Sequence, residues 1–437
     1  MKALALLQSG GVVGGGGAGF PTWKKLSAPA ETLVINGAEC EPLLQSDQYL
    51  MLRQAQRLVR AALALGEIVG AAGIVIALKD HYISQRAALE RAAQGLRVEV
   101  RALPTVYPVG DEQSVVFECT GRVVPPGGLP GSVGCTVVSV STALNALAAL
   151  EGVPVTRRLV TVAGEVLRPG LYEAPVGTPV REVIAAAGGM TVTDARVVLG
   201  GPMMGALQPM HADPVVTKTC GGILVLPAEH QLVRFARLEP EAMRSRARSC
   251  CIQCRSCTDL CPRYLLGHPI FPHLTMRAFG MGAEPEPSAA LCMECGVCEL
   301  FACPMGLNPR RIQQLAKKEL RTLGQKPAFS MADQQREYRL WRQLPSGRLA
   351  LRLQLDSYAF PTPDTAAEVR AHTVRIPLRQ HIGAPAVSLV RVGDRVRAGQ
   401  EIGSMAEGQL GASVHASIAG VVTEVAEAVT IREEAAE

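Results

Sequence analysis

No stretch of the chain reaches the roughly 18 consecutive apolar residues that a membrane helix needs, so no transmembrane segment is expected. The opening MKALALLQSGG carries one lysine and an apolar stretch too short for a secretory h-region, and no secretion is expected either. Basic runs with interleaved aromatics are missing, and a formal net charge of +5 is mild for 437 residues, so nucleic acid is not an expected partner. Charged residues are scarce at 19%, while 43 glycines and 30 prolines suit a compact, loop-rich protein that holds a cofactor. No serine or histidine stands in a motif that would support a nucleophile or a triad, so no catalytic side chain is assigned. The 13 cysteines are odd in number and show no disulfide-like pattern, which points to a reducing compartment.

What the chain does have is two cysteine runs, each ending in Cys-Pro. The first is Cys251-x2-Cys254-x2-Cys257-x3-Cys261-Pro262, and the second is Cys292-x2-Cys295-x2-Cys298-x4-Cys303-Pro304. This spacing is the signature of two [4Fe–4S] clusters, which carry one electron at a time. Three cysteines at x2 intervals wrap a tight loop around one face of a cube. The fourth ligand comes from elsewhere, and the proline turns the chain away after it. In two-cluster ferredoxins the fourth cysteine of each run crosses to the other cluster. By that logic Cys251, Cys254, Cys257 and Cys303 hold one cluster, and Cys292, Cys295, Cys298 and Cys261 hold the other. Zinc also takes paired Cys-x2-Cys units, but two triple runs with Cys-Pro fit iron–sulfur better. Cys250 adjoins Cys251 and competes for the first position, and the x4 gap before Cys303 calls for a longer loop. Cys40, Cys119, Cys135 and Cys220 stand outside both runs.

The length allows about three domains. Leu33–Asn36 reads as a buried strand, and Asp47–Leu65 as a helix with Leu52, Ala55, Leu58, Val59 and Ala62 on one face. Ile74–Leu78 follows as a strand, Ile83–Ala93 as a helix and Leu96–Leu103 as a strand. This β-α-β-α-β order argues for an α/β fold with a largely parallel sheet. From Leu159 to Gly189 come short strands around a Pro-Gly turn, then a helix at Val180–Ala187, a pattern that resembles the small β-grasp domain called SLBB. The cysteine region is expected to be helical between ligands. Residues 327–368 are polar and mixed and read as a linker. The last seventy or so residues are valine- and glycine-rich short strands.

Before the first strand stands Val13-Gly14-Gly15-Gly16-Gly17-Ala18-Gly19-Phe20-Pro21-Thr22. Glycines here allow a backbone to come close to a phosphate or an aromatic ring system, though a flexible tail has the same composition. Further on come Asn36-x2-Glu39-x-Glu41-Pro42 and Tyr107-x2-Gly110-Asp111-Glu112. Taken alone, Glu39 and Glu41 fit a solvated loop, and Asp111 and Glu112 fit a helix N-terminus. Together these elements resemble the NADH-oxidising flavoprotein subunit of bacterial complex I and its relative RnfC. In that family they cradle FMN and the nicotinamide of NADH. The resemblance implies a cofactor site built from Gly14, Gly16, Gly17, Gly19, Phe20, Lys25, Asn36, Glu39, Glu41, Tyr107, Gly110, Asp111 and Glu112. Asn36 would bond the flavin, and Glu41, Asp111 and Glu112 would line the NADH side. The family's V-x-N-V-x-T element reads Val138-Ser139-Val140-Ser141-Thr142 here. Ser139 stands where asparagine is expected, so one flavin contact is weakened or replaced. Both FMN and FAD fit the residues; FMN follows from the resemblance.

Val392-Gly-Asp-x-Val-x-x-Gly399, followed by Ala416-x3-Gly420-x-Val422, reads as a barrel-sandwich hybrid of the lipoyl type. The last lysine of the chain is Lys326, so this module carries no lipoyl-lysine. In RnfC the same module precedes the glycine loop; here it follows the clusters. That order resembles the PduS-type cobalamin reductases of propanediol-utilisation microcompartments. The resemblance implies an α/β FMN/NADH-binding domain at 1–155, an SLBB β-grasp domain at 156–239 and a ferredoxin-type helical insert at 240–325. A linker at 326–368 and the barrel-sandwich hybrid at 369–437 would complete the chain. It implies an NADH-dependent oxidoreductase that passes electrons through FMN and two [4Fe–4S] clusters to cob(III)alamin or cob(II)alamin for coenzyme B12 recycling. It also implies a cytoplasmic place inside a bacterial microcompartment, with shell proteins and an adenosyltransferase as partners. Two other readings stand beside it: a peripheral electron-transfer subunit of a membrane Rnf-like complex, and a docking protein with degraded flavin chemistry. Imidazole ligates cobalt, but core or surface positions are the commoner lot of histidines such as His381 and His415.

Overall fold

The structure, a computed structural model, describes residues 2–209, 211–330 and 334–434. Four parallel strands form the first sheet, in the order Glu99–Leu103, Gly73–Lys79, Thr32–Gly37, Cys135–Ser139. Side chains alternate across it. Leu33, Ile35, Ile74 and Ile76 face helices Ala55–Val69 and Val140–Leu150, while Val34, Val75 and Val137 face helix Glu112–Thr120. Both faces are covered, which is why these strands read as continuous apolar runs. The helix expected over Asp47–Leu65 is two helices, Ser46–Arg53 and Ala55–Val69, because Gln54 leaves the helical region at φ −123°.

A second sheet has six strands, in the order Ala367–Glu368, Gly170–Pro175, Arg157–Gly164, Gly222–Pro227, Ala195–Leu199, Ala206–Leu207. Helix Val180–Ala186 packs on it through Val183 and Ile184. Helices Pro240–Cys250, Pro272–Met281 and Pro309–Thr322 frame the cysteine runs. The last module folds as two small antiparallel sheets closed over Val374, Ile376, Ile402, Val414, Val422 and Ile431. No helix among the described residues is long and apolar enough to cross a membrane.

The polar segment that reads as a linker carries structure of its own. Leu344–Pro345 pairs antiparallel with Val106–Tyr107 of the first domain. Leu349, Leu353 and Leu355 are fully buried against Tyr107, Met203, Leu226 and Cys295. Arg339 reaches Glu118, and Ala367–Glu368 adds the edge strand of the second sheet. The segment therefore straps three units together. Its spaced leucines are too few to stand out against the surrounding arginines and glutamines.

Candidate flavin site and cysteine centres

The strand order places a topological switch point between Thr32–Gly37 and Cys135–Ser139, where open α/β sheets receive ligands at their carboxyl ends. Asn36 and Ser139 are register partners at that end. The glycine loop closes above them. Val13 bridges to Pro21, and Gly14 donates to the Phe20 carbonyl at 3.0 Å, so residues between them bulge outward. A side chain added at Gly17 would meet no protein atom within 4 Å, and one at Gly16 only Ser139, at 3.9 Å. The bulge thus exposes bare backbone over the switch point, a cradle suited to a phosphate or a flat ring.

Several side chains hold this cradle. Gly15 donates to Thr142 Oγ1 at 2.9 Å, and Thr142 in turn meets Ser139 Oγ at 2.7 Å. Arg158, which no motif marks, is buried and donates to the Gly15 carbonyl at 2.7 Å and the Cys220 carbonyl at 2.8 Å. It joins the glycine loop to the second domain. Lys25 pairs with Glu112 and donates to the Val137 carbonyl at 3.1 Å. Asn36 spends its amide within the protein: Nδ2 donates to the Gly110 carbonyl at 2.8 Å, and Oδ1 accepts from Ala38 N at 3.1 Å.

The acids are not a solvated loop. Glu39 accepts from the backbone of Asp47 and Gln48 at 3.0 and 3.2 Å, the start of helix Ser46–Arg53. Burial, with Asp47 adding to it, pushes its carboxyl up to about 7, and burial lifts Asp47 to about 6. Glu41 accepts from Met203 N at 2.8 Å and Met204 N at 2.9 Å, in a turn of the second domain 162 residues away. Burial lifts it to about 7 against those two amides and the charge of Arg310. Asp111 caps helix Glu112–Thr120 through Ser114 N at 3.1 Å and is also gripped by Arg263.

The two cysteine runs share one backbone design. Gln253 and Arg255 flank Cys254 in the left-handed region, and Glu294 and Gly296 flank Cys295 in the same way. For the three residues other than glycine this costs about 1–2 kcal/mol each, and such strain persists where a site requires it. The second curl turns the Glu294 amide toward Cys292 Sγ at 3.3 Å, and past the end of that run Leu307 N donates to Cys303 Sγ at 3.4 Å. Val297–Ala302 winds as a π-helix, whereas the first run has a single α turn at Ser256–Asp259. The wider turn takes up the extra residue of the x4 gap.

Cys251, Cys254, Cys257 and Cys303 line one cavity, together with Ile252, Gln253, Arg255 and Met305. Cys250 is not among its lining residues and lies beside Ser249 Oγ at 3.4 Å. Burial pushes the Cys292 thiol up to about 12, with Cys261 next in effect, and Cys261 also bears on Cys295 and Cys298. The first set of four shares one cavity, the second set is linked by these mutual effects, and each cysteine must give up its proton to bind iron. The donor sets fit iron–sulfur clusters.

A direct bond joins the two halves of the site. Tyr107 of the flavin-type motif is buried and donates from its hydroxyl to the Cys295 carbonyl at 2.7 Å. His381 and His415 are buried in the last module, and His381 Nε2 accepts from Ala412 N at 3.2 Å. That module lies against the start of the chain: Trp23 Nε1 donates to the Gly411 carbonyl at 2.7 Å, and Lys218 bonds the carbonyls of Gly11 and Ser413 at 2.8 and 2.7 Å.

Comparison with known proteins matches the same units. Residues 7–148 match the Nuo51 FMN-binding domain, 159–207 the SLBB domain, 250–308 the 4Fe-4S dicluster domain and 364–437 the RnfC barrel sandwich hybrid domain. A chain of the NAD+-reducing [NiFe]-hydrogenase in its H2-reduced state shares 22% identity with a TM-score of 0.48. The likeness covers 75% of this chain and 63% of that one, less than two thirds, and decides nothing about activity. Cobalamin reductase PduS of Salmonella typhimurium strain LT2 is 46% identical over 434 residues, covering 97% of this chain and 95% of that protein. Cobalamin reductase PduS of Citrobacter freundii is 44% identical, covering 96% and 94%. With its four domains in that order and this extent of likeness, the chain belongs to the cobalamin reductase PduS family.

Proposed function

We propose that the protein is an NADH-dependent cobalamin reductase. The extent of the likeness to two cobalamin reductases, nearly end to end, carries this reading. When bound, FMN takes the electron pair of NADH and releases it singly, and [4Fe–4S] clusters carry single electrons onward. The overall balance is one NADH oxidised to NAD+ and a proton, and two cobalt(III) centres reduced to cobalt(II).

The chain's own residues position these groups. Gly14, Gly16, Gly17 and Gly19 let backbone approach the flavin, with Phe20, Lys25, Ser139 and Thr142 around it. Asn36, Gly110 and Glu39 shape the floor, and Glu41, Asp111 and Glu112 the side that takes the nicotinamide. Glu41 and Asp111 do so as grips on the neighbouring domains. Cys251, Cys254, Cys257 and Cys303 would hold one cluster; Cys292, Cys295, Cys298 and Cys261 the other. Tyr107 stands between flavin motif and cluster loop. The domain limits are 1–155, 156–239, 240–325 and 369–437, with 326–368 as the strap between them. A microcompartment with shell proteins and an adenosyltransferase is the setting that such a reductase serves.

The test is anaerobic. Purified holoprotein should be brown, NADH should bleach its flavin, and cob(III)alamin should lose its absorbance with NADH as the sole reductant. The extracted flavin should be FMN. Flavin that NADH does not bleach would sink the enzyme reading; bleaching without cobalamin reduction would sink the substrate.

A further inference from the structure

We infer that electrons leave the protein at the first cysteine run, and that the face around Cys254 is where the corrinoid docks. This rests on the cobalamin reductase reading. The two cysteine sites have opposite surroundings. Cys295, Cys298 and Cys261 are buried, and the second run is covered by Met203, Leu344 and Leu353 as well as by Tyr107 with its hydrogen bond to Cys295. That run faces the flavin domain, and its part-exposed stretch, Cys292 to Glu294, holds no exposed cysteine. The first run faces outward. Cys254 is exposed, and beside it in the same cavity lie Ile252, 61% exposed, and Met305, 42% exposed.

Electron transfer falls steeply with distance, so the acceptor must come to an exposed ligand edge. The face offers what a corrinoid needs. A corrin is a broad ring edged with methyl groups and amide arms, with an anionic phosphodiester in its nucleotide loop. Ile252 and Met305 supply apolar surface for the ring, Gln253 can pair with an amide, and Arg255 with the phosphodiester. No cobalt ligand from the protein is required, because an electron passes without a bond forming. One electron per docking takes cobalt(III) to cobalt(II), and the two electrons of NADH serve two dockings.

The test uses holoprotein under anaerobic conditions. The double variant Ile252→Glu/Met305→Glu, and separately Arg255→Glu, are compared with the parent at matched iron content, each cobalamin rate being divided by the rate at which NADH bleaches that variant's own clusters. Cobalamin reduction should slow about tenfold through a higher KM, since like charge now faces the phosphodiester. A gadolinium chelate should speed the relaxation of one cluster's EPR signal, the one that disappears in Cys254→Ala. Variants that reduce cobalamin at the parent rate would overturn the docking face. A relaxed signal that survives in Cys254→Ala would overturn the exit assignment. A parent protein that reduces no cobalamin would overturn the substrate and this docking site together, while the relaxation result would still report which cluster lies outermost.

Discussion

Arg263 holds Asp111 through two hydrogen bonds, Nη1 to Oδ2 at 2.6 Å and Nη2 to Oδ1 at 2.8 Å. Arg263 comes two residues after Cys261, and Asp111 begins the helix Glu112–Thr120. One carboxylate therefore caps a helix of the flavin domain and fastens a ligand loop of the cluster domain. The pair is little exposed, 9% at Arg263 and 15% at Asp111, so its fork geometry is shielded from salt.

Asp111→Asn keeps a capping side chain but leaves Arg263 shielded without its counter-charge. Stability of the junction should fall by about 2–3 kcal/mol, just under the range for fully buried pairs. Calorimetry should show a lower unfolding midpoint, and stopped-flow should show slower bleaching of the clusters after the flavin.

Cys303→Ser and Cys261→Ser should each remove one cluster, halving the iron to about four atoms per chain. Cys250→Ser should leave iron unchanged, since Cys250 does not line the cavity. Iron loss in Cys250→Ser with none in Cys251→Ser would reverse that assignment.

Gly17→Val tests the cradle without testing the fold. Its side chain would enter open space. FMN affinity should drop about tenfold or more, with the unfolding midpoint of flavin-free protein unchanged. Gly15→Ala differs, because its Cβ would lie 2.6 Å from Arg158 Nη1 and should lower the midpoint as well.

Lys218 sets a pH slope. Burial lowers its pKa from the ordinary 10.5 to about 7. Between those values the unfolded chain holds more protons than the folded one, so stability rises with pH across that window and is flat below it. Lys218→Met removes the group and should flatten the rise in unfolding midpoint between pH 7 and 9. An unchanged slope would place its origin elsewhere.

Much of the architecture was legible because it is local. Short continuous apolar runs marked the strands at Leu33 and Ile74, and the helix Ile83–Ala93 has the expected limits. The strap at 334–368 was hidden, since Leu349, Leu353 and Leu355 are interspersed with arginine and glutamine, and the surface that buries them, Met203 and Cys295, comes from distant parts of the chain. Arg158 and Arg263 escaped notice for the same reason. A single arginine carries no periodic signal, and its meaning lies in the carbonyl or carboxylate it reaches. Glu41 was legible as a site residue, but its grip on Met203 and Met204 was not.

By itself the sequence determined what a few residues of backbone can decide: the curl of each cysteine run, the bare glycine loop, the faces of strands. These depend on spacing and on φ, which neighbours in the chain control. Only the tertiary structure decided that Cys303 lines the cavity of the first run, that Tyr107 touches Cys295, and that Cys254 alone among the eight cysteines is exposed. It also brought the last module, which follows the clusters in sequence, against the glycine loop that precedes them, where Ile382 N donates to the Gly19 carbonyl at 3.3 Å. Such pairings join residues far apart in the chain, 188 positions for Tyr107 and Cys295 and 388 for Trp23 and Gly411. They are chosen by which surfaces exclude water together and which buried polar groups find partners, and no short stretch of sequence carries that information.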